Sequence, residues 1–373
     1  MKLERPKNFF GEDIQLTVFV PSEYLDKKIE RKLYGKYFKD TGIFNIFPEN
    51  YQGKGDYLGK IGFDDFNDYE DILYGKISDS DINFYYNGEE VKAEIYNLYQ
   101  NIFSRNTGIL ETNVMKDKCA IIIGCGSVGS LIAVELAKAG VGHFILCDQD
   151  TLEYHNLCRH QCGIEDVGDL KVNSVKRKIN NINPDAEIIC FNGVIENIPK
   201  QILDSMCKEY DSIFIGCADT RTADVYANKL AIYYNMSFLS VGFWERAYVG
   251  EIFYYLYNKN MSSYDYAIGG GSLSDRKEAN HHVYSNEENI NEINFEPGIS
   301  VDINFVTCIA IKLIIDILNI NNLDYIPRLL NELNQYTLVA NTNNVKIAGE
   351  TVEIFSYPLQ VTRSLVLRSK ENI

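Results

Sequence analysis

The stretch Cys119–Ser130, CAIIIGCGSVGS, limits the fold more tightly than any other part of the chain. An apolar run breaks into Gly124, Gly126 and Gly129 and resumes as LIAVELAKAG. The pattern reads as a buried strand over Ala120–Ile123, a tight glycine turn and a helix over Leu131–Ala139. A second strand follows at His143–Cys147 and ends in Asp148. Strand, glycine turn and helix N-terminus make an anion site, because unpaired backbone N–H groups and the positive end of the helix dipole converge on the turn. A dinucleotide and a nucleoside triphosphate both fit such a site, and glycines alone also serve a close strand-to-helix packing turn. Asp148 can bond a ribose hydroxyl, so glycines and acid together indicate nucleotide binding and leave the nucleotide open.

Texture divides the chain. Residues 1–100 are rich in Tyr, Phe, Asp and Lys, carry turn signals such as ENYQGKGDY and NGEE, and read as a separate small α+β unit. Within it Ile14–Val20 and Ile82–Tyr86 read as strands and Ser22–Tyr37 as an amphipathic helix. Residues 101–373 alternate strands with helices, the pattern of an α/β fold with a Rossmann-like, mostly parallel sheet covered by helices on both faces. Asp211–Cys217 is a further buried strand, Arg221–Tyr234 a helix, 237–257 a pair of strands, and Ile299–Leu318 a long apolar helix. Met261–Glu296 is polar and punctuated by Gly269–Gly271; a connection of this length is a lid or is disordered.

The formal charge of -16 argues against a nucleic-acid partner, since phosphate affinity needs clustered Lys and Arg. The N-terminus has no apolar signal region and no apolar run is long enough for a bilayer, so the expectation is a cytoplasmic chain with no membrane partner. Nine cysteines, an odd number scattered through apolar segments, fit reduced thiols that mostly belong to the core.

Downstream of Asp148 the residues favour a triphosphate over a dinucleotide. The segment DQDTLEYHNLCRHQCGIEDVGDLKVNSVKRKI supplies Arg159 and Lys171, cations suited to stabilising a pyrophosphate leaving group and a pentacoordinate α-phosphorus. In GCADT, Asp219 stands just past a strand end, where a carboxylate can hold Mg²⁺ that bridges phosphate oxygens. An NAD-dependent oxidoreductase needs an acid or base near the nicotinamide, and the sequence offers no candidate. Taken singly, Arg159 and Lys171 also read as solvated surface charges, Asp219 as a helix N-cap and Asn156 as a turn former.

In the order S-R-N, G-x-G-x-x-G, D-x-D, N-L-x-R, a Lys in GDLK, and A-D-T, the chain from about Ser104 onward resembles the ThiF/MoeB/MccB superfamily, the adenylating fold of ubiquitin-activating enzymes. The resemblance implies a role for each matching position. Gly124, Gly126 and Gly129 would form the ATP loop, Asp148 would take the ribose, and Asp150 and Asn156 would line the phosphate end. Arg159 and Lys171 would hold phosphates and Asp219 would bind Mg²⁺. Arg105 would reach in from the second subunit of a homodimer.

This chain departs from the family pattern in two ways. The two C-x-x-C pairs that hold structural zinc in most relatives are missing, so a zinc-free fold is expected. His155, Cys158, His160 and Cys162 cluster in sequence but bracket Arg159, and their cysteines are expected to pack inward. No cysteine stands between Cys217 and Cys308, and Cys308 lies in an apolar helix pattern where a buried thiol would be inert. Thioester transfer is therefore disfavoured, which leaves adenylation with capture of the acyl-adenylate by a nearby nucleophile.

Architecture is similar to the peptide-modifying branch of MccB and PaaA type. That resemblance implies a winged-helix-like front unit taking a precursor peptide's leader as an added strand, with the 261–296 loop, including His281 and His282, closing over the carboxylate. The alternative substrate is the C-terminal Gly of a ubiquitin-like or sulfur-carrier protein. A catalytically inert dimeric binding module is a further alternative, which the intact phosphate constellation speaks against.

Overall fold

In Arg31–Phe38, RKLYGKYF, alternate side chains turn inward: Leu33 and Gly35 are buried while Lys32, Tyr34 and Lys36 are exposed. This period of two sets the character of the first of two units into which the chain divides, Met1–Arg105 and Asn106–Ile373. The computed structural model describes residues 7, 11, 13–63, 72–78, 81–244, 247–269, 298–341, 344–347, 350–353 and 362–365. Of the expected lid over 261–296, residues 270–296, with His281 and His282, lie outside them.

The first unit is a closed barrel of seven strands: β1 (Thr17–Pro21), β2 (Arg31–Phe38), β3 (Ile43–Ile46), β4 (Asp56–Gly62), β5 (Leu73–Ile77), β6 (Ile82–Tyr86) and β7 (Glu89–Tyr96). Strand β1 closes it by pairing in parallel with β3 on one side and β7 on the other. Inward-facing Val18, Val20, Leu33, Phe44, Ile46, Ile61, Leu73 and Phe84 are buried and fill the interior.

Two expectations are corrected here. The helix over Ser22–Tyr37 shrinks to one turn, α1 (Glu23–Asp26), because the same apolar residues satisfy a period of two and Gly35 favours a strand, where it lies against the Asn45 carbonyl. The winged-helix-like α+β unit is instead a barrel, whose described helices are α1 and the five-residue α2 (Leu98–Ile102). Taking up a peptide as an added strand needs a free sheet edge, and the closed circuit of described strands leaves none.

The second unit follows the pattern read from the sequence. Short helix α3 (Thr112–Met115) precedes β8 (Lys118–Ile123), α4 (Ser127–Lys138), β9 (His143–Asp148), α5 (Lys171–Asn180), β10 (Glu187–Asn192), α6 (Lys200–Cys207), β11 (Asp211–Gly216) and α7 (Arg221–Tyr233). An antiparallel pair, β12 (Ser237–Trp244) and β13 (Val249–Tyr255), then leads to α8 (Tyr264–Ala267), α9 (Ser300–Leu318) and β14 (Tyr336–Ala340). A hairpin, β15 (Asn344–Ile347) with β16 (Glu350–Glu353), and an edge strand β17 (Thr362–Leu365) complete it.

The main sheet runs β10-β9-β8-β11-β12-β13-β14-β17, parallel from β10 to β12 and antiparallel beyond. Alternation along β8 sends Ala120 and Ile122 into a layer with α4, α5 and α9, and Cys119, Ile121 and Ile123 into the opposite layer with α6 and α7. Strand order reverses between β8 and β11, and ligands of open α/β sheets bind at such a reversal. Among the described residues no helix is long and apolar enough to cross a membrane.

Cys308 is a third correction. It is exposed on α9, on a stripe with exposed Val301 and Lys312, while Ile303, Val306 and Ala310 face the core. The strongly apolar sequence of α9 hides that narrow outward stripe.

One buried ion pair knits the antiparallel half of the sheet to α7. Arg221 Nη1 lies 2.9 Å from Glu251 Oε1, and its Nη2 donates to Oε2 at 3.0 Å. Trp244 Nε1 and the Tyr336 hydroxyl donate to the same carboxylate at 2.8 and 2.9 Å. Removing one partner strands a buried charge, so Glu251→Ala should cost about 3–5 kcal/mol of unfolding free energy in urea. A loss below about 1 kcal/mol would contradict this role, being the size of an exposed pair.

Candidate functional site

The chain leaves β8 at Gly124 with φ of +89°, a conformation that glycine adopts without strain. A Cβ at Gly124 would stand 2.7 Å from the Cys217 carbonyl at the end of β11, and one at Gly129 would run into the Gly124 carbonyl. These two glycines are thus required by packing. Gly126 differs: a Cβ there would meet nothing within 4 Å, and it is the residue on which α4 starts. The turn therefore packs on two sides and opens on the third, where the first N–H groups of α4 emerge.

That opening belongs to a cleft of about 280 Å³ at the β8–β11 reversal, lined among others by Gly124, Gly126, Asp148, Asp150, Lys171 and Asp219. Asp148 ties the turn to the end of β9: its Oδ2 accepts from Cys125 N at 2.6 Å and its Oδ1 from Asp150 N at 2.8 Å. Burial raises its pKa, against the opposing charge of Lys171 and the two N–H bonds. Lys171, the first residue of α5, donates from Nζ to Asp150 Oδ2 at 2.8 Å and from its backbone N to Asp150 O at 2.9 Å. Burial alone would lower the Lys171 pKa; the bond to Asp150 and the charges of Asp148, Asp150 and Asp219 outweigh it and hold the ammonium protonated.

Six of the ten residues singled out in the sequence thus line one cleft, and Gly129 packs behind them. Asn156 and Arg159 do not line it. Asn156 closes a 3₁₀ turn (Tyr154–Asn156), its Oδ1 accepting from Glu153 N at 2.9 Å, which is the turn-forming use of that residue type. Arg159 is half-buried, with Nη1 3.7 Å from where a Gly298 Cβ would be. Arg105 belongs to the other unit, in the 3₁₀ turn Ser104–Asn106.

The sequence cluster around Arg159 also resolves into separate roles. Cys162 packs inward as expected, but Cys158 is exposed, since the short turn carries it outward. His160 is buried and bonds the glycine turn itself, its Nε2 lying 2.8 Å from Cys125 O. The cleft wall Gly193–Glu196, after β10, was likewise not singled out in the sequence. Its only signal is Gly193 shortly after the apolar run Ile188–Phe191. Among the described residues no three His, Cys, Asp or Glu side chains gather in a metal-binding cluster.

A ubiquitin-like modifier-activating enzyme 5 from Drosophila erecta is 29% identical over 178 residues, and its Drosophila melanogaster counterpart 28% over 179. Each alignment covers 44% of this chain and 44% of the relative, so the likeness spans less than half the length of these curated relatives. Among solved structures, E. coli MccB is 21% identical, with 72% of this chain and 73% of that one covered and a TM-score of 0.49. PaaA is 18% identical, with 66% and 67% covered and a TM-score of 0.46. The ThiF family model matches residues 100–352, a span that includes the glycine turn, the acid–lysine pair and the β8–β11 reversal, and the chain belongs to the ThiF family.

Proposed function

We propose that this chain is an ATP-dependent adenylyltransferase that activates a carboxylate on a ribosomally made precursor peptide, with Mg²⁺ accompanying the nucleotide. The observation that carries the reading is the composition of the cleft: one protonated lysine among Asp148, Asp150 and Asp219, beside the N-terminus of α4. With Glu196 of the cleft wall, four acids against one lysine would repel a bare triphosphate, and a divalent cation reverses that balance. Mg²⁺ is ordinarily held by one or two carboxylates together with phosphates and water, so Asp219 fits the requirement without a preformed protein cage.

In this reading the substrate carboxylate attacks the α-phosphorus, the bond to the β-phosphate oxygen breaks, and pyrophosphate departs with that electron pair. The N–H groups at Gly126 and the start of α4 face the phosphates, Lys171 neutralises charge on the leaving group, and Asp148 meets the ribose. The family resemblance also assigns Arg159 and Asn156 to the phosphates, although neither lines the cleft. The active species is a cytoplasmic homodimer in which Arg105 serves the partner's site. The lack of any cysteine between Cys217 and Cys308 supports adenylation without thioester transfer. A second reading, activation of a ubiquitin-like protein's C-terminal Gly, is favoured by the names of the curated relatives.

Pyrophosphate exchange with ATP separates these readings. A short precursor peptide, sought among the open reading frames beside the gene, should support exchange, whereas exchange driven only by a ubiquitin-like protein ending in Gly would replace the peptide reading. Lys171→Ala and Asp219→Ala should each weaken Mg-ATP binding roughly 10- to 100-fold, the range for hydrogen bonds and contacts to charged groups, with the fold retained by circular dichroism. Unchanged binding in both variants would contradict the assignment.

A further inference from the structure

We infer that His160 is a positioning residue for the phosphate loop: it fixes the plane of the Cys125–Gly126 peptide so that the Gly126 N–H faces the cleft. The inference rests on the nucleotide reading above and adds a residue that neither the family resemblance nor the cleft lining assigns. His160 is 8% exposed and makes two bonds with opposite demands. Its Nε2 lies 2.8 Å from Cys125 O, which only accepts, and its Nδ1 lies 3.1 Å from Cys162 N, which only donates. Together they require the neutral Nε2–H tautomer. Burial, the larger influence on this ring, favours the neutral form, and the Lys171 charge adds to it.

The consequence for the loop follows from peptide geometry. In a trans peptide the carbonyl and the N–H of the next residue point in opposite directions. Holding Cys125 O on His160 therefore directs the Gly126 N–H away from His160, at the residue that opens onto the cleft. Cys125 N is held from its other side by Asp148, so both peptide groups of Cys125 are anchored. Without His160 the second anchor is gone. Glycine at 126 tolerates a flip of that peptide, which would aim a carbonyl oxygen at the phosphates instead of an N–H. The same ring also joins the turn to the segment that carries Arg159, since Arg159 N and His160 N both donate to Asn156 O.

The test compares His160→Ala, His160→Gln and His160→Asn by calorimetric titration with Mg-ATP and with adenosine. Glutamine reaches Cys125 O with its amide N–H and should bind Mg-ATP within about threefold of the wild type. Asparagine and alanine leave that carbonyl without its donor and should bind Mg-ATP about tenfold or more weakly, with adenosine affinity changed by less than about twofold. Histidine ring ¹⁵N spectra of the wild type should show one neutral Nε2–H tautomer. A purely structural role predicts instead that nucleotide affinity tracks melting temperature across the three variants. That result, or wild-type Mg-ATP affinity in His160→Ala and His160→Asn, would overturn the inference. A wild-type chain that binds no Mg-ATP would overturn the nucleotide reading itself, a separate and distinguishable failure.

Discussion

Between Gly124 and the Cys217 carbonyl there is no room for a side chain, and between Gly129 and the Gly124 carbonyl there is less. This double close approach brings the end of β8, the end of β11 and the start of α4 to one point, and the rest of the site is arranged around it. Because β8 and β11 are neighbours whose connections leave in opposite directions, the turn sits at the mouth of a crevice. Gly126, relieved of packing contacts, presents backbone to that crevice. Asp148 and His160 then fix the turn from its two sides, one accepting from Cys125 N and the other bonding Cys125 O.

Charge explains what such a crevice would select. The chain is strongly acidic overall, yet a lysine largely shielded from solvent is kept protonated at the cleft by three carboxylates. The arrangement costs desolvation of the ammonium and recovers it through the bond to Asp150. A ligand carrying both phosphate and a divalent cation satisfies lysine and acids at once. A ligand with a single charge of either sign leaves one of them unmatched.

How much of this was legible in the sequence depended on whether the deciding contacts were local. The strand, turn, helix and strand from Cys119 to Asp148 could be read because each step is set by neighbours within a few residues: apolar run, glycines, then an apolar helix face ending at Gly140, where φ is +92°. Arg31–Phe38 was misread because its apolar residues fit both periods, and the choice was made by barrel partners far along the chain. Cys308 was misplaced because a nearly all-apolar helix conceals which narrow stripe faces out. Motif order located the residues that line the cleft and also Asn156 and Arg159, which do not line it, since order along a chain does not fix where a short turn points its side chains. His160 drew notice in the sequence only as a member of the His/Cys cluster that brackets Arg159; its role as a clamp rests on burial and two backbone partners that the sequence does not display.

On the proposed reading the cleft takes a magnesium-bound triphosphate and not a dinucleotide. Calorimetric titration of the purified full chain with ATP, with and without Mg²⁺, and separately with NAD⁺ and NADH tests it most directly. Saturable binding of ATP that is lost when EDTA removes the metal, with no heat from either dinucleotide, is the predicted result. Tight binding of NAD⁺ or NADH by a chain indifferent to Mg-ATP would contradict it.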